Sequence, residues 1–544
     1  MRQLTYRGHD GRRLRRVAVL ALLALVIGVL VAACGGDGET AEPPPPAPPA
    51  EPPPPPPPPP PAPTEPPPPP PPPPPQEVGP VTSASNATSS AMLEFAKQFA
   101  GETINFQVEG GLQALVWRQD VAPLFEELTG VKVNIIEVPF TEQFQALIAA
   151  SQAPGSIDAA YVFYNWLPDL VEGGALYDFE SLIGSMLNTP EMQAELADFA
   201  PAGVTAVSSW NGQQWGFPVD AAGLVTYYRS DLFGDPELAA KFEEQFGYAL
   251  GPPKTWEQYG QIAQFLTDEL APDVYGALHA AGGGQAYFWF FQAFNSDEFC
   301  GAEYFDADMN AIINAPCGVD ALESLKGYLD AGPPGANTID PGRVWTDFIE
   351  GSLGMNVEFS PFARWASPGG EAFSEALSFV PVSGVEGNFL LEIPPGGNAN
   401  VIGYTTAISA TSEKPELTFA FLAWATAPDV YPDVSGPPYS LSKWTTRFST
   451  MDEHSDLYAN ADQHMDAFRR TLDVLSMEPK WFAAQEYLVA IDQAATAAYT
   501  GTPVQEALDT AAEQWDSITD RVGRENQARA YQEYQAQVQE LRGG

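Results

Sequence analysis

The sequence predicts an α/β fold with two lobes, and three observations support this prediction. Strand and helix patterns alternate from about residue 101 onward, as in parallel sheets flanked by helices. The ~450 residues after residue 91 exceed the roughly 250–300 residues at which chains divide into separate cores. From Glu416 onward, apolar residues recur at helical spacing, which predicts a helical C-terminal part.

The alternation begins with three strands separated by two helices. The strands are expected at 103–108, 131–138 and 157–163, and the helices at 115–129 and 141–151, with Thr141 as an N-cap. Ligands of open α/β sheets bind outside the carboxyl ends of the strands. The segment after Glu109 and the predicted loop 164–168 lie at such ends and are therefore candidate parts of a site.

Residues 1–33 have the features of a secretory signal, with several arginines followed by an apolar run over 17–31. This run of about 15 residues is short for a membrane span, which needs roughly 20. The residues Val-Ala-Ala before Cys34 resemble the lipobox of bacterial lipoproteins. The resemblance implies that Cys34 carries a lipid and anchors an extracytoplasmic protein to the membrane. An ordinary signal with a chance cysteine is the alternative, and the choice between general and twin-arginine export stays open.

Residues 34–100 are expected to form a stalk that ends in a softer linker. The segment 43–75 holds about half of the 55 prolines in the chain. Such a run adopts polyproline II at ~3.1 Å per residue, so it could hold a domain on the order of 100 Å from a membrane. A docking ligand for aromatic grooves is the alternative interpretation of this segment.

The charge and the cysteines restrict partners and cofactors. The net charge of −45 arises from only 25 Lys and Arg against 70 Asp and Glu. A chain this poor in bases should repel nucleic acid, so no nucleic-acid partner is expected. Cys300 and Cys317 are an even pair in an oxidising compartment and are predicted to form a disulfide. A metal site there would lack nearby histidines, and no metal or cofactor is expected.

Five segments in order resemble one known family. They are 215–220 (Trp-Gly-Phe-Pro-Val-Asp), 226–233 (Thr-Tyr-Tyr-Arg-Ser-Asp-Leu-Phe), 252–259 (Pro-Pro-Lys-Thr-Trp-Glu-Gln-Tyr), 348–355 (Phe-Ile-Glu-Gly-Ser-Leu-Gly-Met) and 401–409 (Val-Ile-Gly-Tyr-Thr-Thr-Ala-Ile-Ser). Together they are similar to the extracellular solute-binding proteins of ABC transporters, a family that includes maltose-binding protein. Gly354 departs from the family pattern, which has alanine there.

The resemblance implies a two-lobed periplasmic-binding-protein fold of type II, with a mainly parallel sheet in each lobe. The expected lobes are 101–219 with 346–410, and 220–345 with 411–544. The implied function is to capture a carbohydrate or sugar alcohol by hinge closure and to deliver it to an ABC permease. The protein would be a monomer and not an enzyme. Tyr227 and Tyr228 could indicate an iron-binding relative, but the residues that follow them fit the carbohydrate branch.

A sugar site needs aromatic faces and planar polar groups. The candidates at predicted strand ends and loops are Glu109, Asn165, Trp166, Asp220, Tyr287, Trp289, Glu358, Phe362, Arg364, Gly397 and Asn398. Asp220 is expected just before a strand at 224–228. Alternation along 287–291 would turn about half of these aromatics toward the core. Arg364 could instead pair with Glu358, and for any single aromatic core packing remains the alternative.

The sequence leaves two other protein classes and one other kind of site as alternatives. A surface glycan hydrolase would need two converging carboxylates, which no spacing in the sequence excludes. A structural or adhesive surface protein on a stalk would need no pocket. Asp306, Asp308 and Asn310 begin like a calcium loop, but Ala311 stands where glycine is required. A turn between the paired cysteines is therefore preferred.

Overall fold

The computed structural model describes residues 86–110, 114, 115, 117–199, 201–360, 362–367, 380–427, 430 and 460–542, without the side chains of 201, 220–222 and 364. The predicted signal segment, Cys34 and the proline stalk lie outside these residues. Over the ranges just given, no helix is both long and apolar enough to cross a membrane.

In the described part of the chain, a nine-stranded mixed sheet organises the fold. Its strands are β1 Thr103–Glu109, β2 Lys132–Val138, β3 Ala159–Phe163, β6 Phe217–Arg229, β7 Tyr275–Ala277, β8 Leu353–Phe359, β9 Phe389–Glu392, β10 Ala399–Ile408 and β11 Leu475–Met477. Their order in the sheet is β2-β1-β3-β10-β6-β8-β7, with β11 paired to β10 and β9 paired to β6. A separate hairpin consists of β4 Ser209–Trp210 and β5 Gln213–Gln214.

Helices cover the sheet. The α-helices are Ala87–Ala96, Ala122–Thr129, Phe140–Ala150, Leu167–Glu172, Phe179–Met186, Pro190–Leu196, Pro201–Gly203, Ser230–Phe233, Pro236–Phe246, Trp256–Leu270, Ala286–Phe294, Pro316–Asp330, Pro341–Glu350, Phe362–Trp365, Pro415–Ala425, Ala461–Thr471, Ala484–Tyr499, Val504–Val522 and Arg524–Leu541. Two π-helical turns lie at Trp117–Val121 and Val204–Ser208. Short 3₁₀ helices lie at Lys97–Phe99, Tyr164–Trp166, Ala336–Thr338 and Leu472–Val474.

The predicted alternation in the first half is confirmed. β1 pairs in parallel with both β2 and β3, and every residue of β3 is buried, as the sequence predicted for this strand. Gly130 ends the helix Ala122–Thr129 in the left-handed conformation, at φ 76°. The predicted N-cap Thr141 is wrong: the helix Phe140–Ala150 begins directly after Pro139, whose backbone is already extended.

Strands β6 and β10 connect the two halves of the sheet. The first part of β6 pairs with β10, and its second part, from Leu224, pairs with β8. Asp220 therefore lies inside a continuous strand of thirteen residues and not in a loop before it. The sheet is also less parallel than predicted. β10 runs antiparallel to β3 and β6, and β6 runs antiparallel to β8 and β9, because these strands carry the chain back and forth between the halves.

The predicted linker extends too far toward the domain. Residues 87–96 form a helix whose N-cap is Asn86, and Met92 and Leu93 on one face are buried. This helix packs against the helix Pro415–Ala425, in which every residue from 417 to 425 is buried. The folded domain therefore begins by residue 86, before the predicted end of the linker at residue 100.

Helices dominate the described part of the chain after residue 415, as predicted. The last described helix, Arg524–Leu541, buries Tyr531, Tyr534, Val538 and Leu541. Cys300 and Cys317 form the predicted disulfide. It brackets a short turn in which Phe305 and Ala311 form an antiparallel bridge.

Candidate functional site at the junction of the half-sheets

Several segments meet where β6 and β10 pass from one half of the sheet to the other. Phe163, at the carboxyl end of β3, pairs with Tyr404 in β10. Phe359, at the carboxyl end of β8, pairs with Leu224 in β6. β11 pairs with the first residues of β10. The carboxyl ends of β3 and β8 therefore face the two sides of this junction, the kind of position in which open α/β sheets bind ligands.

Glu109 and Asn165, both predicted ligand contacts, differ in how they are held. The Tyr404 hydroxyl donates a hydrogen bond to Glu109, and the Tyr404 ring stacks on Tyr161 with centroids 5.3 Å apart. Asn165 is fully buried, yet neither atom of its amide group has a hydrogen-bond partner among the described residues. Leaving a buried polar group unpaired costs about 1–3 kcal/mol. Asn165 would therefore gain from a polar ligand.

Trp166 ends a short 3₁₀ helix, Tyr164–Trp166, and this helix replaces the predicted loop over 164–168. Its ring stacks on Phe140 at 5.7 Å, with 27° between the ring planes. Its indole N–H donates to Gln485 Oε1 at 3.3 Å. The Trp166 side chain is thus almost completely buried among its neighbours, and its role as a ligand contact stays a prediction.

Tyr287 and Trp289 lie in a helix and not in the alternating pattern that the sequence suggested. All nine residues of the helix Ala286–Phe294 are buried, because an apolar segment with no polar face packs on every side. The Trp289 indole donates to the Val357 carbonyl at 2.8 Å, which ties the helix to β8. Burial, followed by the negative charge of nearby Glu478, raises the pKa of the Tyr287 phenol.

Glu358 is a fully buried carboxyl near the end of β8. Burial raises its pKa to about 8, although the Phe359 amide and the Trp345 indole favour the ionised form. The Phe359 N–H donates to Glu358 Oε1 at 3.0 Å. At neutral pH the side chain is therefore mostly the uncharged acid, which both donates and accepts hydrogen bonds.

Phe362 is almost completely buried and packs edge-on against two aromatic rings of the second half. The ring centroids lie 5.1 Å from Tyr227 and 5.8 Å from Phe348. In this arrangement Phe362 contributes to the core. The side chains of Asp220 and Arg364 lie outside the described ones, so their predicted ligand contacts and the alternative pairing of Arg364 with Glu358 stay predictions.

The turn before β10 uses backbone conformations that favour glycine. Gly396 and Gly397 both have positive φ, at 82° and 71°. A Cβ on Gly396 would come within 2.5 Å of the Ser296 Cβ, so only glycine fits there. The following Asn398 exchanges hydrogen bonds with Gln292, while its own Oδ1 has no partner in the described structure.

Sequence reasoning missed Glu478 and Lys480, which follow β11. The Tyr164 hydroxyl donates to Glu478 Oε2 at 3.1 Å, and burial raises the pKa of this fully buried carboxyl well above its usual range. Lys480 Nζ donates to three backbone carbonyls in 205–209 and to Gln537 Oε1, at 2.7–3.3 Å. Burial lowers the pKa of Lys480 to about 7. Two charged residue types within an apolar stretch, Met477 to Phe482, were the available signal.

The acidic turn between the cysteines is not arranged as a metal site. Asp306 accepts hydrogen bonds from the backbone amides of Asp308 and Asn310. Arg524 donates to the Asp308 carbonyl and to Asn310 Oδ1, so a guanidinium already uses the oxygens that a calcium ion would need. Across the described ranges, no group of three His, Cys, Asp or Glu side chains could hold a metal ion.

Residues 105–432, more than half of the chain, match the family of bacterial extracellular solute-binding proteins. The chain belongs to this family. The solute-binding protein is 25% identical over 417 residues to the erythritol/L-threitol-binding protein of Mycolicibacterium smegmatis, a match that covers 70% of this chain and 80% of that relative. It is 23% identical over 353 residues to a probable amino-acid ABC transporter periplasmic-binding protein of Sinorhizobium fredii, covering 62% of this chain and 72% of the relative.

Solved structures of similar fold include two from Agrobacterium. A solute-binding protein of Agrobacterium radiobacter K84 in complex with ribitol has a TM-score of 0.60 and 20% identity, covering 77% of this chain and 99% of its own. One of Agrobacterium vitis S4 with bound D-mannitol has a TM-score of 0.59 and 20% identity, covering 78% and 99%. These likenesses confirm the predicted two-lobed fold. The family consists of extracellular solute-binding proteins and not of enzymes, as the sequence predicted.

Proposed function

We propose that the protein captures a carbohydrate or sugar alcohol outside the cytoplasm and delivers it to the permease of an ABC importer. The observation that carries the proposal is a set of buried polar groups with unused hydrogen-bonding atoms at the junction of the half-sheets: Asn165, Asn398 and Glu478. Buried polar groups are normally paired, and ligand hydroxyls would pair them. The relatives that bind ribitol, D-mannitol and erythritol or L-threitol support this ligand class.

An uncharged ligand suits these groups better than a charged one. Burial raises the pKa of Glu358 to about 8 and that of Glu478 well above its usual range, so the junction favours neutral acids and amides over fixed charges. An amino acid is the second candidate, because the Sinorhizobium relative is described as an amino-acid-binding protein. A zwitterion would have to ionise a buried acid or find opposite charges in order to bind.

Capture would proceed by closure of two lobes about the connecting strands β6 and β10. Tyr164 and Trp166, at the end of β3, already hydrogen bond to Glu478 and Gln485 of the C-terminal part. A ligand that bonds to residues of both lobes would favour the closed state by its differential affinity. The predicted lobe boundaries stay part of this proposal.

A lipid on Cys34 would hold this monomeric receptor at the membrane, with the proline stalk as the spacer. The basic and apolar signal residues before the small residues and Cys34 support this attachment. Fatty-acid labelling in cells should mark the wild type and not Cys34→Ser. An unlabelled wild type would contradict the anchor and would leave the ligand-binding proposal intact.

Ligand binding is tested by thermal shift and calorimetry with erythritol, L-threitol, ribitol, D-mannitol, D-tagatose, maltose, L-glutamate, L-lysine and L-leucine. A ligand present at one hundred times its dissociation constant stabilises by about 2.7 kcal/mol. A polyol or sugar should stabilise the protein and be recovered intact. Cleaved maltose would support the hydrolase alternative, stabilisation only by an amino acid would support the second candidate, and no stabilisation would contradict the proposal.

A matched pair of variants then locates the site. Asn165→Leu is expected to weaken affinity tenfold or more, about 1.4 kcal/mol. Asn188→Leu should leave affinity unchanged, because Asn188 is exposed on a surface turn. Asp220→Ala is expected to act like the Asn165 variant. Equal affinity in all three variants would place the site elsewhere.

A further inference from the structure

Glu478 occupies an unusual position for a carboxyl group. It follows β11, the short strand that pairs with the start of β10, and its side chain is fully buried. Oε2 accepts a hydrogen bond from the Tyr164 hydroxyl at 3.1 Å, whereas Oε1 has no partner within the described part of the chain. A buried acid with one unused oxygen needs an explanation, because such groups are normally paired.

The surroundings of Glu478 come from both halves of the fold. Tyr164 follows β3 in the first half, and Tyr287 begins the buried helix Ala286–Phe294 in the second half. The Tyr164 hydroxyl bonds directly to Glu478, and a charge on Glu478 would raise the pKa values of both phenols. A third phenol, that of Tyr534, donates a hydrogen bond at 2.8 Å to the carbonyl of Met477, the residue before Glu478.

No described cation neutralises this carboxyl. Lys480 is only two residues away, but its ammonium donates to carbonyls in 205–209 and to Gln537. The titratable groups that act on Glu478, or on which it acts, are the phenols of Tyr164, Tyr287 and Tyr534. Without a cation, burial favours the protonated acid, which offers one donor and a free acceptor.

Asn165 provides the second, independent observation. It follows Tyr164 directly and is fully buried. Neither the oxygen nor the nitrogen of its side-chain amide has a hydrogen-bond partner among the described residues. Asn165 Oδ1, Asn165 Nδ2 and Glu478 Oε1 are therefore three unused polar atoms on segments that the Tyr164–Glu478 hydrogen bond joins. A hydroxyl both donates and accepts, so a polyhydroxylated molecule can satisfy all three without introducing charge.

We propose that Glu478 is a ligand-contacting residue whose free carboxyl oxygen hydrogen bonds to a hydroxyl of the bound sugar or polyol, while Tyr164 holds the carboxyl in place. The inference rests on the proposed function and adds to it a specificity-determining residue on the C-terminal segment. A neutral acid here favours uncharged hydroxylated ligands. A ligand anion beside it would lack a countercharge, and a ligand cation would have to ionise a buried group.

The test compares the affinities of three variants for the probe that binds most tightly among erythritol, ribitol, D-mannitol and maltose. Glu478→Leu should weaken binding at least tenfold, and Glu478→Asp, which withdraws the oxygen by one methylene, should also weaken it severalfold. Glu478→Gln should stay within about threefold, because the amide keeps a donor and an acceptor of the same shape. The control is Asp347→Asn, which changes a buried acid that is ion-paired with Arg343 within the helix Pro341–Glu350, and this variant should bind like the wild type.

The unfolding midpoint without ligand separates binding from a structural role. Glu478→Leu leaves the buried Tyr164 hydroxyl without its acceptor, so this midpoint is expected to fall modestly, while the affinity for the probe falls at least tenfold. A lowered midpoint with unchanged affinity would overturn the inference. The proposed function would still stand in that case, because the wild type binds the probe. A wild type that binds none of the four probes would overturn the inference, and one that binds no sugar or polyol of the full panel would overturn the proposed function as well. If Glu478→Leu does not fold, the comparison of Glu478→Asp with Glu478→Gln decides. Equal affinities of these two variants for the probe would also overturn the assignment.

Discussion

Replacing Glu358 with glutamine is expected to stabilise the protein by an amount that grows with pH. Burial raises the pKa of this carboxyl from 4.5 to about 8. Between these two values the folded protein keeps a proton that the unfolded chain has released. Stability therefore falls as the pH rises from about 4.5 to about 8. Glutamine has nearly the same shape, does not ionise, and can still accept the hydrogen bond from the Phe359 amide.

The magnitude follows from proton linkage. Each pH unit over which the two states differ by one bound proton changes the free energy of unfolding by about 1.36 kcal/mol. From pH 5 to pH 7, Glu358 should lower the free energy of unfolding of the wild type by about 2.5 kcal/mol. The Glu358→Gln variant should not show this loss. A domain typically has only about 5–15 kcal/mol of stability in total, so the difference should be readily measurable.

Urea unfolding of the ligand-free protein at pH 5, 6 and 7 measures the effect. The free-energy difference between Glu358→Gln and the wild type should widen steadily across this range, with the same dependence on urea concentration. The exposed control Glu191→Gln should follow the wild type at every pH. A difference that stays constant between pH 5 and pH 7 would refute the argument that this carboxyl is held neutral in the fold.

Three further outcomes are expected. Burial lowers the pKa of Lys480 to about 7, so the wild type should gain about 2 kcal/mol relative to Lys480→Met between pH 7 and pH 9, as urea unfolding would show. Replacing Cys300 and Cys317 with serine opens a loop with a sequence separation of 17 and should cost about 3 kcal/mol, which calorimetry of the variant and of the reduced wild type would measure. Gly396→Ala should lower the melting temperature more than Gly397→Ala, because a Cβ meets a close neighbour only at the first position, and equal shifts would contradict the steric argument.

The first half of the fold could be predicted because its signals are local. β1, β2 and β3 carry their own apolar patterns, and the helices between them have matching periodicity. The cap of the helix Trp256–Leu270 is local in the same way, because the Thr255 side chain accepts a hydrogen bond from the Gln258 amide at 3.1 Å. Such features depend on neighbours in sequence, which local patterns report directly.

The helix Ala286–Phe294 shows where local patterns fail. Its residues are apolar on every side, so neither a helical nor a strand period appears in the sequence. Asp220 was placed before a strand for a related reason. The strand β6 pairs with different partners along its two parts, and those partners lie more than a hundred residues away in the chain.

The amino-acid sequence alone determined the α/β class, the cysteine pair and the family, because composition, periodicity and ordered motifs are properties of the linear chain. Only the tertiary structure decided which polar groups lie together at the junction. Glu478 reaches Tyr164 across 314 positions of sequence, and no local pattern encodes that approach. The proximity arises from the pairing of β10 with β3 and β11, a long-range choice that the packing of the whole sheet makes.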